Sequence, residues 1–357
     1  MTGNDRPFLR WFAELSLDDR DSVGGKGASL GELTRAGIRV PPGFVVLTTA
    51  FDTFMRTADP DNEIVGMITA LDKDDAAAID QCSETIRKRL RAADVPSDVV
   101  DAIRAGYAVI GEDNMDRPVA VRSSATCEDS EDASFAGLQD TYLWTIGAED
   151  LIDRVRDCWA SLYNTESVAY RLRLGIPESQ LSMAVVVQEM IDAECAGVMF
   201  TRSPTTGDRS VVLIEGSWGL GSCIVNGEVT PDRFVVNKVT GEITTRDVSD
   251  KAVEHRPDPN GSGTIEQDVD SERQSVSCLE DERIKALWQT ARAVERHYGV
   301  PQDIEWAFSR DRAQPVYLLQ SRPETVWANR ESAPAAQPTA RAFDHVLTAL
   351  STGKKPS

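Results

Sequence analysis

The residues best suited to hold an anion follow a short apolar run in the first half of the chain. Arg122 stands at the end of that run. Small hydroxyl residues, an acidic run and a small-residue turn then follow as far as Gly137. Arginine offers a planar fork of donors, and small residues let backbone N–H groups approach phosphate oxygens. We therefore predict a strand that ends at Arg122 and a phosphate-binding loop after it. A lone Arg-Ser-Ser triplet would instead favour a surface loop with a salt-bridged arginine.

A second candidate for phosphate binding is the glycine-rich segment around Lys26. Gly24, Gly25 and Gly27 surround the lysine, and the following residues predict a helix that runs through Ala36. Glycines let the backbone approach a ligand closely, and the N-terminus of a helix favours anions. The spacing is neither that of a Walker A loop nor that of GxGxxG. A tight turn before a helix is the alternative interpretation.

Two segments near the C-terminal end of the chain predict a β-hairpin, Asp303–Phe308 and Tyr317–Arg322. Side chains alternate between the two faces of a strand, so one face of this hairpin is polar and the other apolar. Carboxylate oxygens suit Mg²⁺ and arginine suits phosphate, so the polar face predicts a metal and phosphate site. A turn centred between residues 312 and 313 gives these cross-strand pairs: Asp303 with Arg322, Glu305 with Gln320, Trp306 with Leu319, and Phe308 with Tyr317.

The motifs that carry these residues resemble those of a known family. In chain order they are SVGGKGASLGEL, VPPGFVV, RSSAT, DASFAG, QDT, VVVQEM, GVMFTRSP, GLGS, NGEVTPDRFVV, DIEWAF and LLQSRPET. They are similar to the nucleotide-binding domain shared by phosphoenolpyruvate synthase, pyruvate phosphate dikinase and rifampicin phosphotransferase. The resemblance covers roughly residues 8 to 327. It implies an α+β, ATP-grasp-type fold of two lobes, with mixed or antiparallel sheets and flanking helices.

The resemblance also implies roles for individual residues, with ATP and Mg²⁺ as the ligands. The catalytic cations, which grip the phosphates, are Lys26, Arg122 and Arg322. The residues that approach the metal are Glu305 and Gln320. The expected nucleotide contacts are Gly137, Gln139, Thr141, Gln188, Glu189, Met190, Arg202, Glu215 and Asp303. Ser222 stands where family members commonly have Glu, so we do not expect it in the site.

Composition excludes several classes of partner. The formal charge of −20 argues against nucleic acid and against an anionic membrane, because both require a basic face. No apolar run approaches the length of a membrane span, and the first residues lack the pattern of a secretion signal, so we expect a cytoplasmic protein. The six cysteines and three histidines are dispersed, which favours reduced structural thiols over a zinc site.

We expect three parts along the chain. Residues 1–187 form an N-terminal lobe with the phosphate-binding loops, and residues 188–327 form a C-terminal lobe with the metal and phosphate hairpin. Residues 254–278 are polar and predict a mobile surface excursion. Residues 328–357 predict an Ala/Pro-rich linker and a short amphipathic tail helix, which docks on a partner subunit, packs back on its own lobe or frays.

The resemblance implies a dikinase half-reaction in which a histidine nitrogen attacks bound MgATP. None of the histidines has the sequence setting of the family's phosphocarrier, so we expect a histidine-bearing partner subunit in a hetero-oligomer, or a longer chain. A free-standing ATP-binding subunit resembles that of phenylphosphate synthase, whose acceptor is phenol; pyruvate is the other acceptor considered. The alternatives are the ATP-binding domain of a full-length phosphoenolpyruvate synthase or antibiotic phosphotransferase, and a nucleotide-sensing module without phosphotransfer.

Overall fold

The structure is a computed structural model, and it describes residues 7–112, 117–126, 140–178, 181–311, 313, 315–325 and 327. The predicted contacts Gly137 and Gln139 lie outside the described residues, as does the predicted tail helix. The α+β class is confirmed by helices interspersed with antiparallel sheets. Residues up to Glu324 form one compact unit.

The strands are β1 Leu9–Trp11, β2 Gly43–Val46, β3 Val119–Ala125, β4 Thr141–Thr145, β5 Met183–Glu189, β6 Ala193–Phe200, β7 Val211–Trp218, β8 Asp232–Asn237, β9 Ile243–Asp247, β10 Val253–Pro257, β11 Thr264–Asp268, β12 Gln302–Ser309 and β13 Tyr317–Pro323. Within the described residues they form three antiparallel sheets. A five-stranded sheet has the order β1-β2-β5-β3-β4, a six-stranded sheet has the order β13-β12-β6-β7-β8-β9, and β10 pairs with β11.

Helices flank these sheets and supply the apolar faces that bury them. They are α1 Arg20–Arg35, α2 Thr48–Ala58, α3 Glu63–Thr69, α4 Ala76–Ala92, α5 Ser97–Ile110, α6 Ala148–Ser161, α7 Thr165–Leu174, α8 Ser222–Val225, α9 Ser271–Gln274 and α10 Asp281–Tyr298. No helix within the described ranges is both long enough and apolar enough to span a bilayer.

Each large sheet has its own core. The five-stranded sheet packs against α2 to α6, with Trp159 of α6 fully buried and stacked on Phe54. The six-stranded sheet packs against α10, and Trp306 of β12 is fully buried there. The ring of Trp306 lies over Gly197 and Gly216, where an added Cβ would come within 2.8 and 2.9 Å of it. These bulky rings fix one face of each sheet to its core. Helix α1 covers part of the opposite face of the five-stranded sheet. The remainder of that face and the opposite face of the six-stranded sheet are available to build a site.

The structure corrects two element predictions. Arg122 does not end its strand, because β3 continues to Ala125 and its serines are buried where they pair with Val185 and Ala184 of β5. Residues 254–278 contain regular structure that was not predicted, because β10 and β11 form a hairpin and α9 follows.

A third correction concerns the register of the C-terminal hairpin. Asp303 pairs with Arg322 and Glu305 with Gln320, as predicted. The register then shifts, so Trp306 pairs with Leu318 and Ala307 with Tyr317. The predicted pairs of Trp306 with Leu319 and of Phe308 with Tyr317 are therefore wrong. The extra residue on β13 is Leu319, which leaves Leu318 fully buried beside Trp306 in the core.

Candidate active site

A cavity of about 780 Å³ lies between the two large sheets. Its lining brings together most of the residues singled out in the sequence, from both halves of the chain. Those residues are Lys26, Arg122, Thr141, Gln188, Glu189, Met190, Asp303, Glu305, Gln320 and Arg322. Ligand pockets of a few hundred to about 1,000 Å³ are typical of small-molecule sites, so the cavity is large enough for a nucleotide.

Lys26 is positioned by a break in α1. Gly24 adopts φ +69°, which interrupts the helix two residues before the lysine. Strand β3 holds this turn in place: Gly27 N–H donates to Ser124 Oγ at 3.1 Å, and Ser124 Oγ donates to Val23 O at 2.8 Å. A Cβ on Gly24 would lie 2.1 Å from Ser124 O, so only glycine fits this close approach. Lys26 therefore enters the cavity from a turn anchored on β3.

Arg122 connects the two large sheets. Its guanidinium leaves β3 and is almost completely buried. Nη2 donates to Glu305 Oε2 at 2.9 Å and to Gln320 Oε1 at 2.5 Å, and Nη1 donates to Leu319 O at 3.0 Å. A positive charge thus already lies against the two predicted metal ligands.

Glu305 and Gln320 face each other across β12 and β13, and Asp303 lies two residues along the same face. Asp303 Oδ2 lies 3.5 Å from Arg322 Nε, in a partly exposed ion pair. Carboxylate and amide oxygens are hard ligands of the kind that Mg²⁺ prefers. The donor set therefore fits Mg²⁺, with Glu305 and Gln320 as the residues that would hold it once the Arg122 guanidinium is drawn to a phosphate.

At the end of β5, a buried side-chain amide lies beside backbone N–H groups that already donate hydrogen bonds within the protein. Glu189 N–H donates to Pro42 O at 2.8 Å, and Met190 N–H donates to Pro118 O at 3.0 Å. Glu189 also pairs with Arg117 at 2.9 Å. Gln188 is buried, and its Nε2 has no hydrogen-bond partner among the described residues. A buried donor without a partner is costly, so Gln188 is suited to meet an acceptor on a ligand in the cavity.

An apolar wall continues the cavity from the end of β5. It consists of side chains from the second sheet and its loops, and all of them line the cavity: Met190, Ala193, Ala196, Leu220, Ala307 and Leu319. A flat apolar ligand group fits against this wall, whereas the cations Lys26, Arg122 and Arg322 suit anionic groups. The cavity thus offers an apolar surface and a set of cations within one space.

Two predicted contacts do not line the cavity. Arg202 Nε donates to Gly207 O at 3.0 Å, and its Nη1 lies 3.5 Å from Glu324. Glu215 of β7 and Glu305 of β12 both pair with Val198 of the intervening strand β6, so their side chains lie on the same face of the sheet. Burial raises the pKa of Glu215, although Arg233 opposes the shift.

Sequence reasoning missed residues that line the cavity from the loop after β7 and from β10. Ser222, which was left out of the expected site, lines it together with His255. Ser222 Oγ lies 2.7 Å from His255 Nδ1. The two residues are far apart in the chain, so no local motif joins them. The glycines before Ser222 were the local signal, since glycine allows a backbone to approach a ligand closely.

The fold and the cavity define a nucleotide-binding domain of the ATP-grasp type. The family model for the pyruvate phosphate dikinase AMP/ATP-binding domain matches residues 20–342, and the chain belongs to this family.

Three relatives illustrate the similarity. The probable phosphoenolpyruvate synthase of Methanothermobacter thermautotrophicus is 44% identical over 322 residues, which cover 89% of this chain and 46% of the relative. The phosphoenolpyruvate synthase of Pyrococcus furiosus is 37% identical over 92% of this chain and 45% of its own. The phosphoenolpyruvate synthase of Aeropyrum pernix is 38% identical, with 94% and 44% covered. The chain spans about half the length of these relatives.

Proposed function

We propose that the chain binds MgATP in the cavity and delivers the β,γ-diphosphoryl group of ATP to a histidine nitrogen supplied from outside the described residues, with AMP as the leaving group. The observation that carries the proposal is the convergence of Arg122 from the first sheet with Glu305 and Gln320 of the second. The apolar wall would receive the adenine, with Gln188 as hydrogen-bond donor to a ring nitrogen. Lys26, Arg122 and Arg322 would hold the phosphates.

The contribution of this chain is positioning and charge stabilisation. Phosphoryl transfer spreads negative charge over non-bridging oxygens, and fixed cations stabilise that charge without a protein base. Mg²⁺, when bound at Glu305 and Gln320, would neutralise further phosphate charge. Water would then cleave phosphate from the diphosphorylated histidine, and the phosphoryl group that remains would pass to the final acceptor. The names of the relatives favour pyruvate as that acceptor; phenol is the alternative. The histidine would belong to a partner subunit or to a longer chain.

The first experiment tests binding. Titration calorimetry with ATP and excess Mg²⁺ should show saturable binding that falls at least tenfold in Lys26→Ala and Arg322→Ala. Arg104→Ala is the matched control, because Arg104 is an exposed arginine paired with Glu149 away from the cavity. Equal affinity in all four proteins would rule out the assigned cavity.

The second experiment tests turnover. The part of the Methanothermobacter relative that this chain does not match, supplied as a separate polypeptide, is the candidate source of the histidine and the acceptor site. AMP formation that requires pyruvate, this polypeptide and the chain together would support the proposal. AMP formation with phenol in place of pyruvate would reassign the acceptor. Tight ATP binding with no AMP under any of these conditions would favour a nucleotide-sensing module instead.

A further inference from the structure

Three side chains with different metal-binding atoms meet at the edge of the cavity. They are Cys223, Glu228 and His255, and one ligand atom from each lies within 4.8 Å of the others. We propose that these residues form a site for a borderline-soft divalent transition metal, with Zn²⁺ as the representative ion. The site is distinct from the oxygen-rich pair Glu305 and Gln320.

Local backbone geometry brings Cys223 and Glu228 together. The short helix α8 ends at a left-handed Gly227, with φ +72°. Gly227 N–H donates to Ile224 O at 3.1 Å, and Glu228 N–H donates to Cys223 O at 3.0 Å. This pattern reverses the chain, so a thiol and a carboxylate five residues apart come to one side of the turn.

His255 reaches the same place from the neighbouring hairpin. Leu220 N–H donates to the carbonyl oxygen of His255 at 3.1 Å, which ties β10 to the loop before α8. The side chain of His255 then lies with Nε2 at 2.8 Å from Glu228 Oε2. The imidazole is therefore held by its backbone as well as by its side-chain contacts.

Polar neighbours orient the imidazole and carboxylate ligands. Ser222 Oγ lies 2.7 Å from His255 Nδ1, and Asn226 Nδ2 donates to Glu228 Oε1 at 3.0 Å. When Nδ1–H donates to Ser222 Oγ, Nε2 carries the lone pair that a cation between Nε2 and Glu228 Oε2 would require. Metal-binding histidines and carboxylates characteristically have outer partners of this kind. The two remaining ligand atoms, Nε2 and Oε2, face each other and the thiol.

The chemistry of the three ligands selects the metal. A cysteine sulfur, an imidazole and one carboxylate suit Zn²⁺ and its neighbours, whereas Mg²⁺ and Ca²⁺ prefer oxygen ligands only. Cys223 is fully buried, so the soft ligand is shielded from solvent. Three protein ligands leave a fourth coordination position for water. A cation here would join the turn after α8 to β10 and so fix one end of the cavity.

The test uses the whole chain with Zn²⁺ alone, and with Co²⁺ as a spectroscopic probe. Millimolar Mg²⁺ is present throughout to saturate oxygen-only sites. The chain should take one equivalent of Zn²⁺ from a chromophoric chelator, and Co²⁺ should give a thiolate-to-metal charge-transfer band. Cys223→Ser should abolish the band and weaken Zn²⁺ binding at least 100-fold. Ser222→Ala should weaken binding by roughly 10–100-fold through loss of the outer hydrogen bond.

Two matched variants keep the result interpretable. Cys82→Ser removes another buried thiol, and Glu305→Gln removes a carboxylate of the oxygen-rich pair; both should retain the band and the affinity. Glu228→Gln provides a second test, because its partly exposed side chain is not needed for the core. Zn²⁺ binding that is equally strong in the wild type, Cys223→Ser and Glu228→Gln would overturn the proposal, as would a wild type without the band. The three polar residues Ser222, His255 and Glu228 would then form only a hydrogen-bonded row.

Discussion

Arg122 Nη1 donates to the carbonyl oxygen of Leu319 at 3.0 Å, and Leu319 is the residue displaced by the bulge in the C-terminal hairpin. A bulged residue loses its regular partner in the ladder. Here its carbonyl accepts from a guanidinium on the other sheet. The same bulge directs Leu319 to the cavity and Leu318 to the core. The irregularity in β13 therefore positions Arg122 against the candidate metal ligands.

The first prediction concerns how nucleotide affinity depends on Mg²⁺. In Glu305→Gln, the gain in ATP affinity on adding Mg²⁺ should shrink at least tenfold, because the variant loses the only carboxylate of the Glu305–Gln320 pair. In Lys26→Ala, ATP affinity should fall while the gain from Mg²⁺ persists. Calorimetry with Mg²⁺ or with EDTA gives both quantities. A loss of the Mg²⁺ effect in both variants would mean that the metal is not held at Glu305.

The second prediction separates the two faces of the hairpin. Trp306→Ala should lower the free energy of unfolding by about 3–5 kcal/mol, because a fully buried indole leaves a cavity. Arg322→Ala should change it by less than about 1 kcal/mol, because its pair with Asp303 is partly exposed. Denaturant titration measures both. Similar losses in the two variants would show that Arg322 belongs to the core.

The third prediction concerns the turn that positions Lys26. Gly24→Ala adds a Cβ where Ser124 O lies 2.1 Å away, so the turn must leave β3 or the fold must open. Gly37→Ala is a matched control, because Gly37 has φ +72° and nothing within 4 Å of the added Cβ. The control should cost about 1 kcal/mol from backbone strain alone. Gly24→Ala should lose several-fold more stability, and thermal melts of the two variants should differ clearly.

Much of the hairpin could be predicted from the sequence because of its period of two. The pairs of Asp303 with Arg322 and of Glu305 with Gln320 follow from that alternation alone, and both are present. The bulge could not be predicted, because Leu318 and Leu319 are the same residue type. Nothing local indicates which of two adjacent leucines faces the core. Tertiary contacts with Trp306 and Arg122 decide it.

The strand around Arg122 and the β10–β11 hairpin were mispredicted for related reasons. Ser123 and Ser124 look like loop residues, yet β5 buries them and their hydroxyls bond to backbone carbonyls. The β10–β11 hairpin lacks a regular apolar alternation, and β11 is almost entirely exposed. Without that alternation a strand has no sequence signal. The contact between Ser222 and His255 depends on this hairpin, so it could not be predicted either.

The last prediction concerns pH and Glu215. Burial raises the pKa of this carboxyl above its usual 4.5, with the Arg233 charge opposing the shift. The folded chain therefore binds the proton more tightly than the unfolded chain does. The stability that the Glu215 carboxyl contributes is greatest at a pH below its pKa in the unfolded chain. That contribution is lost as pH rises through its pKa in the folded chain. Glutamine does not titrate, so Glu215→Gln should gain melting temperature relative to the wild type as pH rises from 4 to 7.

The gain from Glu215→Gln should be roughly 1–3 °C, since the group is only half-buried and a chain of this size shifts by a few degrees per kcal/mol. Glu266→Gln, on the exposed strand β11, controls for the loss of one negative charge from an acidic chain. The difference in melting temperature between Glu266→Gln and the wild type should not grow with pH as that of Glu215→Gln does. Scanning calorimetry at four or more pH values distinguishes the two. A Glu215→Gln difference that is constant across this range would mean that water or a cation already stabilises the ionised carboxylate at that position.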